Sequence, residues 1–289
     1  MPAPAARSMR GCVRPSRAIA LVAALALSGA AALAAPPARV VSINLCTDQL
    51  AMLVAGPGQL VSVSRLAADP MSSAMPEAAQ AYPLNSGHAE EVFLMRPDLV
   101  LAGTYSDPAA VAMLRRLGVP VEQVDLTRRL DEVPARLRQV GRALGRDAMA
   151  ETLVKRFEAD LARLAPGDEP RPVAALYQAN GYTPGADTLA DDILGRAGLA
   201  NLARLLNRTG GGRLALEQLV MADPDLLILS RPYPKTSRAE ELLAHPALRA
   251  LPASRNPAFS GAAWVCGTPK VLRAVTEMAE RRQDLSRHD

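Results

Sequence analysis

The 289-residue chain carries 33 basic and 29 acidic side chains, a formal charge of +4, with 49 % hydrophobic and only 3 % aromatic residues. The basic excess belongs to residues 1–34, which hold Arg7, Arg10, Arg14 and Arg17 and no acid, so the remainder balances at 29 against 29. A neutral remainder argues against nucleic acid or an anionic membrane as partner, and its roughly 255 residues suffice for two lobes of ordinary size.

The first 34 residues read as a secretory signal. A basic stretch precedes an apolar run over 18–34, which ends in the small-x-small pattern Ala32-Leu33-Ala34 before Pro36-Pro37. Cleavage there leaves an exported, periplasmic, monomeric chain starting near Ala35. No Cys stands at the end of the apolar run, which argues against a lipid anchor. Cys12 is lost with the signal, and Cys46 and Cys266 remain in an oxidising compartment.

The elements then follow in order. A β-rich run over 39–44 precedes a helix over 47–54, closed by Gly56-Pro57-Gly58, and an alternating strand over 60–64. Residues 66–84 hold three prolines and weak periodicity, and are expected to be mostly loop with one short helix. A short helix over 89–95 leads to a buried strand over 98–102. Asp107-Pro108 opens a helix that stops at Gly118, Asp as cap and Pro as first helical residue. A strand over 119–124 completes a β-α-β alternation, the signature of a parallel sheet covered on both faces. From 131 to 164 the apolar residues recur at helical spacing, and one long helix bent near Gly145 is expected. The plan then repeats with strands over 173–177 and 226–229, and helices over 187–194, 199–206, 238–244 and 268–282. The expected fold is α/β: two Rossmann-like lobes with mainly parallel sheets (35–130 and 166–289) joined by one long inter-lobe helix (131–165).

An internal repeat supports this division. Glu90 and Glu217 each stand seven residues before a Pro-Asp-Leu step, Pro97-Asp98-Leu99 and Pro224-Asp225-Leu226, and a buried strand follows each. A lone acid near a helix start is explained by the macrodipole. The same placement in both halves instead suits docking to a two-fold partner with two basic pockets.

Arg39-Val40-Val41-Ser42-Ile43-Asn44, the two Glu…Pro-Asp units and the closing Trp264…Thr268-Pro269 together resemble the periplasmic binding proteins for vitamin B12 and for iron complexes, ferric siderophores and haem. The resemblance runs from Arg39 to the C-terminus. It implies capture of a metal chelate, an iron complex or a corrinoid, in an inter-lobe cleft, and delivery to the permease dimer of an ABC importer. It also implies that Glu90 and Glu217 meet arginines of that permease.

Ligands of open α/β sheets lie beyond the carboxyl ends of the strands. Tyr105, Tyr177, Tyr182, Tyr233 and Trp264 fall at such ends, five of the nine aromatics, and suit stacking on a large ring. Arg65, Arg213 and Arg231 are candidates for ligand carboxylates, and His88 is a further candidate contact. Cys46 and Cys266 fall in cleft-side turns and are expected to face each other across the cleft. They join as a disulfide, face the ligand as separate thiols, or pack as ordinary thiols.

Rival classes find less support. The histidines are His88, His245 and His288 only, there is no Gly-x-Ser-x-Gly elbow, and Gly210-Gly211-Gly212-Arg213 lacks the Lys-Ser/Thr of a phosphate loop. A bare transition-metal binder needs three or more converging His and carboxylates. No catalytic residue, cofactor or resident metal site is therefore expected; the alternatives are a bare-metal-ion carrier and, further off, a non-transport periplasmic enzyme.

Overall fold

Parallel pairing of short buried strands organises both halves of the chain. A computed structural model describes residues 35–164, 166, 171–231 and 238–287. The expected signal sequence lies outside them. The first half runs β1 (Val40–Ser42), α1 (Leu45–Val54), β2 (Leu60–Ser64), α2 (Pro76–Ala79), β3 (Leu84–Asn85), α3 (Ala89–Leu94), β4 (Leu99–Gly103), α4 (Pro108–Arg116) and β5 (Val121–Val124). Its strands form one parallel sheet in the order β3-β2-β1-β4-β5. Asn44 caps α1 by accepting from the Cys46 N–H at 3.0 Å, and Asp107 caps α4 by accepting from Ala109 at 2.9 Å.

The connection is two helices, α5 (Val133–Leu144) and α6 (Asp147–Arg163), rather than the single bent helix expected. Gly145 adopts φ 63°, and the turn closes with Gly145 N–H donating to Arg142 O and Arg146 N–H to Gly141 O, the Schellman pattern. The chain then folds back. Arg138 pairs with Glu151 at 2.6 Å, and Gly141 lies so near Ala150 that a Cβ would approach it to 2.5 Å. Both helices bury one stripe, Leu137, Val140 and Leu144 against Val154, Phe157 and Leu161.

The second half runs β6 (Val173–Tyr177), β7 (Tyr182–Pro184), α7 (Leu189–Arg196), β8 (Ala200–Asn201), α8 (Leu202–Leu205), β9 (Gly211–Arg213), α9 (Leu216–Ala222), β10 (Leu226–Ser230), α10 (Arg238–Glu241), α11 (Pro246–Arg249), β11 (Ala258–Ser260) and α12 (Leu272–Ser286). A second parallel sheet has the order β11-β10-β6-β8, and β7 pairs antiparallel with β9. The helix expected from 187 begins at Leu189, because Asp187 is left-handed and Thr188 caps by accepting from Asp191. The stretch 199–206 opens as a strand, not a helix.

One apolar core runs from Val40 through Leu137 and Phe157 to Leu176 and Met278, so the sheets and the helical hairpin share a single interior. Two satellite cores cover the outer sheet faces, one under α3 and α4, the other under α9 and α11.

Candidate functional site

A cavity of about 900 Å³ opens where the second sheet meets the irregular segment around α2. One wall comes from the first half: Pro70, Met71, Ser73, Ala74, Pro76 and Glu77. The opposite wall comes from the carboxyl ends of β6, β10 and β11 and the turns beyond them, with Arg273 and Glu277 of α12 at the side. The placement follows from parallel topology, since the loops at the carboxyl edge project beyond the sheet.

Three of the sequence-nominated residues line this cavity: Tyr182, Arg231 and Trp264. Trp264 is half-buried, packs its ring on the shared core, and buries an indole N–H that has no acceptor among the described residues. Ser230 Oγ, also in the wall, is likewise buried without a partner among the described residues. Gln178 donates to Ser260 Oγ at 3.3 Å, giving the wall a second polar group. Arg231 is exposed at the end of β10 and reaches along the backbone of Gly261. The mix of one large ring, a tyrosine, small hydroxyls and an exposed cation suits a large ligand with an apolar body and a polar or anionic rim.

The other nominated residues that the structure describes lie elsewhere. Tyr177 does not line the cavity: it is fully buried in the satellite core beside α9. Strand alternation explains this. Ala174 and Leu176 face the shared core, so Ala175 and Tyr177 face the opposite side. Burial raises the Tyr177 phenol above its ordinary value, and the nearby Glu217 charge adds to the rise. Tyr105 is 74 % exposed and lines a separate pocket of about 80 Å³ with Cys46, Thr104 and Gly267. Arg65 and His88 are exposed near Glu91, whose carboxyl is held below its usual range by hydrogen bonds from Ser86, with Arg65 and His88 adding charge. Arg213 is exposed on β9. Tyr233 lies outside the described residues.

Cys46 and Cys266 form a disulfide, with Cα atoms 5.2 Å apart across 220 residues of sequence. Neither sulfur is therefore a free thiol available to a soft metal. Around the bond, Thr268 Oγ1 meets Gln49 Oε1 at 3.3 Å, and a Cβ on Gly267 would come within 2.2 Å of Thr127. The second half of the chain is thus stitched to the first beside α1. Leu130 N–H donating to Asp192 at 2.7 Å adds a further cross-tie.

Glu90 and Glu217 are both exposed, in the first turns of α3 and α9. The Pro-Asp steps that follow do a structural task in each half. Asp98 accepts from Ala38 and Arg39 N–H at 2.7 and 2.9 Å, and Asp225 accepts from Val173 N–H at 2.6 Å, so each fixes the entry to its sheet's first strand. Among the described residues, no three His, Cys, Asp or Glu converge where a metal ion could sit, and no helix is long and apolar enough to cross a membrane.

No first-half wall residue stands among the sequence candidates, because the periodicity of 66–84 is too weak to place its side chains. Arg273 and Glu277 were readable in principle, as an i, i+4 pair on one face of the terminal helix.

The periplasmic binding protein family model matches residues 40–259, which takes in both sheets and the wall as far as Phe259. The chain belongs to the periplasmic binding protein family. The family and the similar solved structures are of binding proteins rather than enzymes. Among similar solved structures, the haem-binding protein RhuT of Roseiflexus sp. RS-1 is 24 % identical with TM-score 0.70, covering 86 % of this chain and 98 % of its own. The vitamin B12-binding protein BtuF of Vibrio cholerae is 16 % identical with TM-score 0.65, covering 87 % and 98 %. These likenesses establish a shared fold. A curated relative, the ABC transporter substrate-binding lipoprotein YvrC of Bacillus subtilis, is 29 % identical over 152 residues, 49 % of this chain. That match spans 48 % of YvrC, about half its length.

Proposed function

We propose that the chain is the periplasmic capture component of an ABC importer, taking an iron complex such as a siderophore or haem, or a cobalamin-type corrinoid, and handing it to a membrane permease. The observation that carries this reading is the cavity of about 900 Å³ between the two halves, with Trp264, Tyr182 and Arg231 in its wall. Its size is at the upper end for small-molecule sites and exceeds what an amino acid or a bare ion requires. A chelate ring stacks on Trp264 while Arg231 takes an anionic group at its edge. The similar proteins that bind haem and vitamin B12 support the ligand class. The protein works as an exported monomer, without cofactor or catalytic step, and Glu90 and Glu217 dock it to the permease.

The lobes move little on loading, because the shared core, the disulfide and the Leu130–Asp192 tie all cross between the halves. The test is calorimetric titration of the purified protein with haemin, cyanocobalamin and a ferric hydroxamate. One of the three saturates at one per chain, and Arg231→Ala or Tyr182→Ala weakens that binding. Failure of all three to bind overturns the reading.

A further inference from the structure

Helices α3 and α9 are copies of one device. Val92 and Leu219, two residues after Glu90 and Glu217, are both 0 % exposed and anchor their helices to the satellite cores. Four residues after each glutamate, on the same helix face, stand Leu94 and Met221. They are 79 % and 86 % exposed, the two most exposed large hydrophobic side chains among the described residues. The backbone exits match as well: Arg96 and Asp223, each just before the proline, both take positive φ, 50° and 39°.

A single exposed hydrophobic is ordinary on a protein surface. Core packing does not account for this pair, because Val92 and Leu219 already hold the helices down. Nor does chance placement readily put the two most exposed apolar side chains at equivalent positions, each one turn from an equivalent exposed acid.

We propose that Leu94 and Met221 are the apolar anchors of the permease-docking surface, each entering an apolar recess beside the basic group that receives its glutamate. This rests on the docking role given above to Glu90 and Glu217. The partner's chemistry follows from the surface: two equivalent patches, each a carboxylate next to a large apolar side chain, match a two-fold membrane protein with two equivalent basic and apolar pockets. The two residue types divide the work. Charge governs encounter and its salt dependence, while a desolvated apolar contact governs residence time.

The test measures binding of the full exported protein to its importer's permease complex in nanodiscs, by interferometry across a salt series. L94S/M221S is expected to raise the dissociation rate at least tenfold, with the association rate and salt dependence close to wild type. E90Q/E217Q is expected to slow association and flatten its salt dependence. Wild-type thermal midpoints for all variants exclude misfolding as the cause. If E90Q/E217Q is impaired while L94S/M221S dissociates like wild type, the docking role stands and the anchor role is overturned. If neither pair changes association or dissociation, the docking role fails and the inference falls with it. If L94S/M221S changes only self-association of the protein, seen by sedimentation, the occupant is a second copy and the proposal is overturned.

Discussion

Cys46 and Cys266, 220 residues apart in sequence, are joined with their Cα atoms 5.2 Å from each other, one in the turn that opens α1 and the other in the turn that precedes α12. The bond closes 220 residues of the 289-residue chain into a loop. Chain-entropy arguments give up to about 5 kcal/mol for a loop this long, with engineered and natural cases often lower. Cys46→Ser/Cys266→Ser is therefore expected to lower the urea midpoint substantially, and dithiothreitol to reproduce the shift in the wild type. An unchanged midpoint under both treatments contradicts a stabilising role for the bond.

Gly145→Ala tests the turn of the helical hairpin. The residue needs φ 63°, and a Cβ there would approach Pro36 to 2.7 Å. Left-handed backbone alone costs a non-glycine residue about 1–2 kcal/mol, and the clash adds to it. A loss of at least that size is expected in denaturant unfolding; a neutral substitution would mean that the hairpin turn is not formed as described.

Asp48 sets a pH dependence. It is fully buried in α1, accepts from Ser64 N–H at 3.1 Å, and its carboxyl is pushed up to about 7 by burial, partly opposed by hydrogen bonds from Ser42 and Ser64. The folded state therefore holds a proton that the unfolded state releases near pH 4. Stability from this group is complete below about pH 4 and is lost as pH rises through about 7, at up to about 1.4 kcal/mol per pH unit. Asp48→Asn is expected to flatten the stability profile across that window and to raise stability at pH 8. Identical profiles for the two proteins would contradict the assignment.

Four strands of the first half, β1, β2, β4 and β5, were legible as short runs rich in Val or Leu bounded by Gly, Pro or a polar cap. The long connection was misread for a physical reason. Two amphipathic helices packed face to face, Leu137, Val140 and Leu144 against Val154, Phe157 and Leu161, show the same apolar spacing as one continuous helix. Only Gly141 and Gly145 betrayed the fold-back. Strands of two residues, β3 and β8, are too short to show any period. In the site, position at a strand end brought Trp264 and Arg231 to the cavity wall. It misled for Tyr177, where the side chain's parity along the strand decides which face it joins. The wall at 70–77 lies on irregular chain and the first residues of the short helix α2, and nothing in a lone sequence marks such a segment as facing a cavity.

Trp264 is the only tryptophan in the chain and stands in the cavity wall, so its fluorescence reports directly on occupation of the proposed site. Titration with haemin, cyanocobalamin and a ferric hydroxamate, corrected for absorption by the chelate, is predicted to give saturable quenching at one equivalent for at least one of them. Fluorescence unaffected by all three, or quenching that rises linearly without saturation, would contradict a metal-chelate site in this cleft.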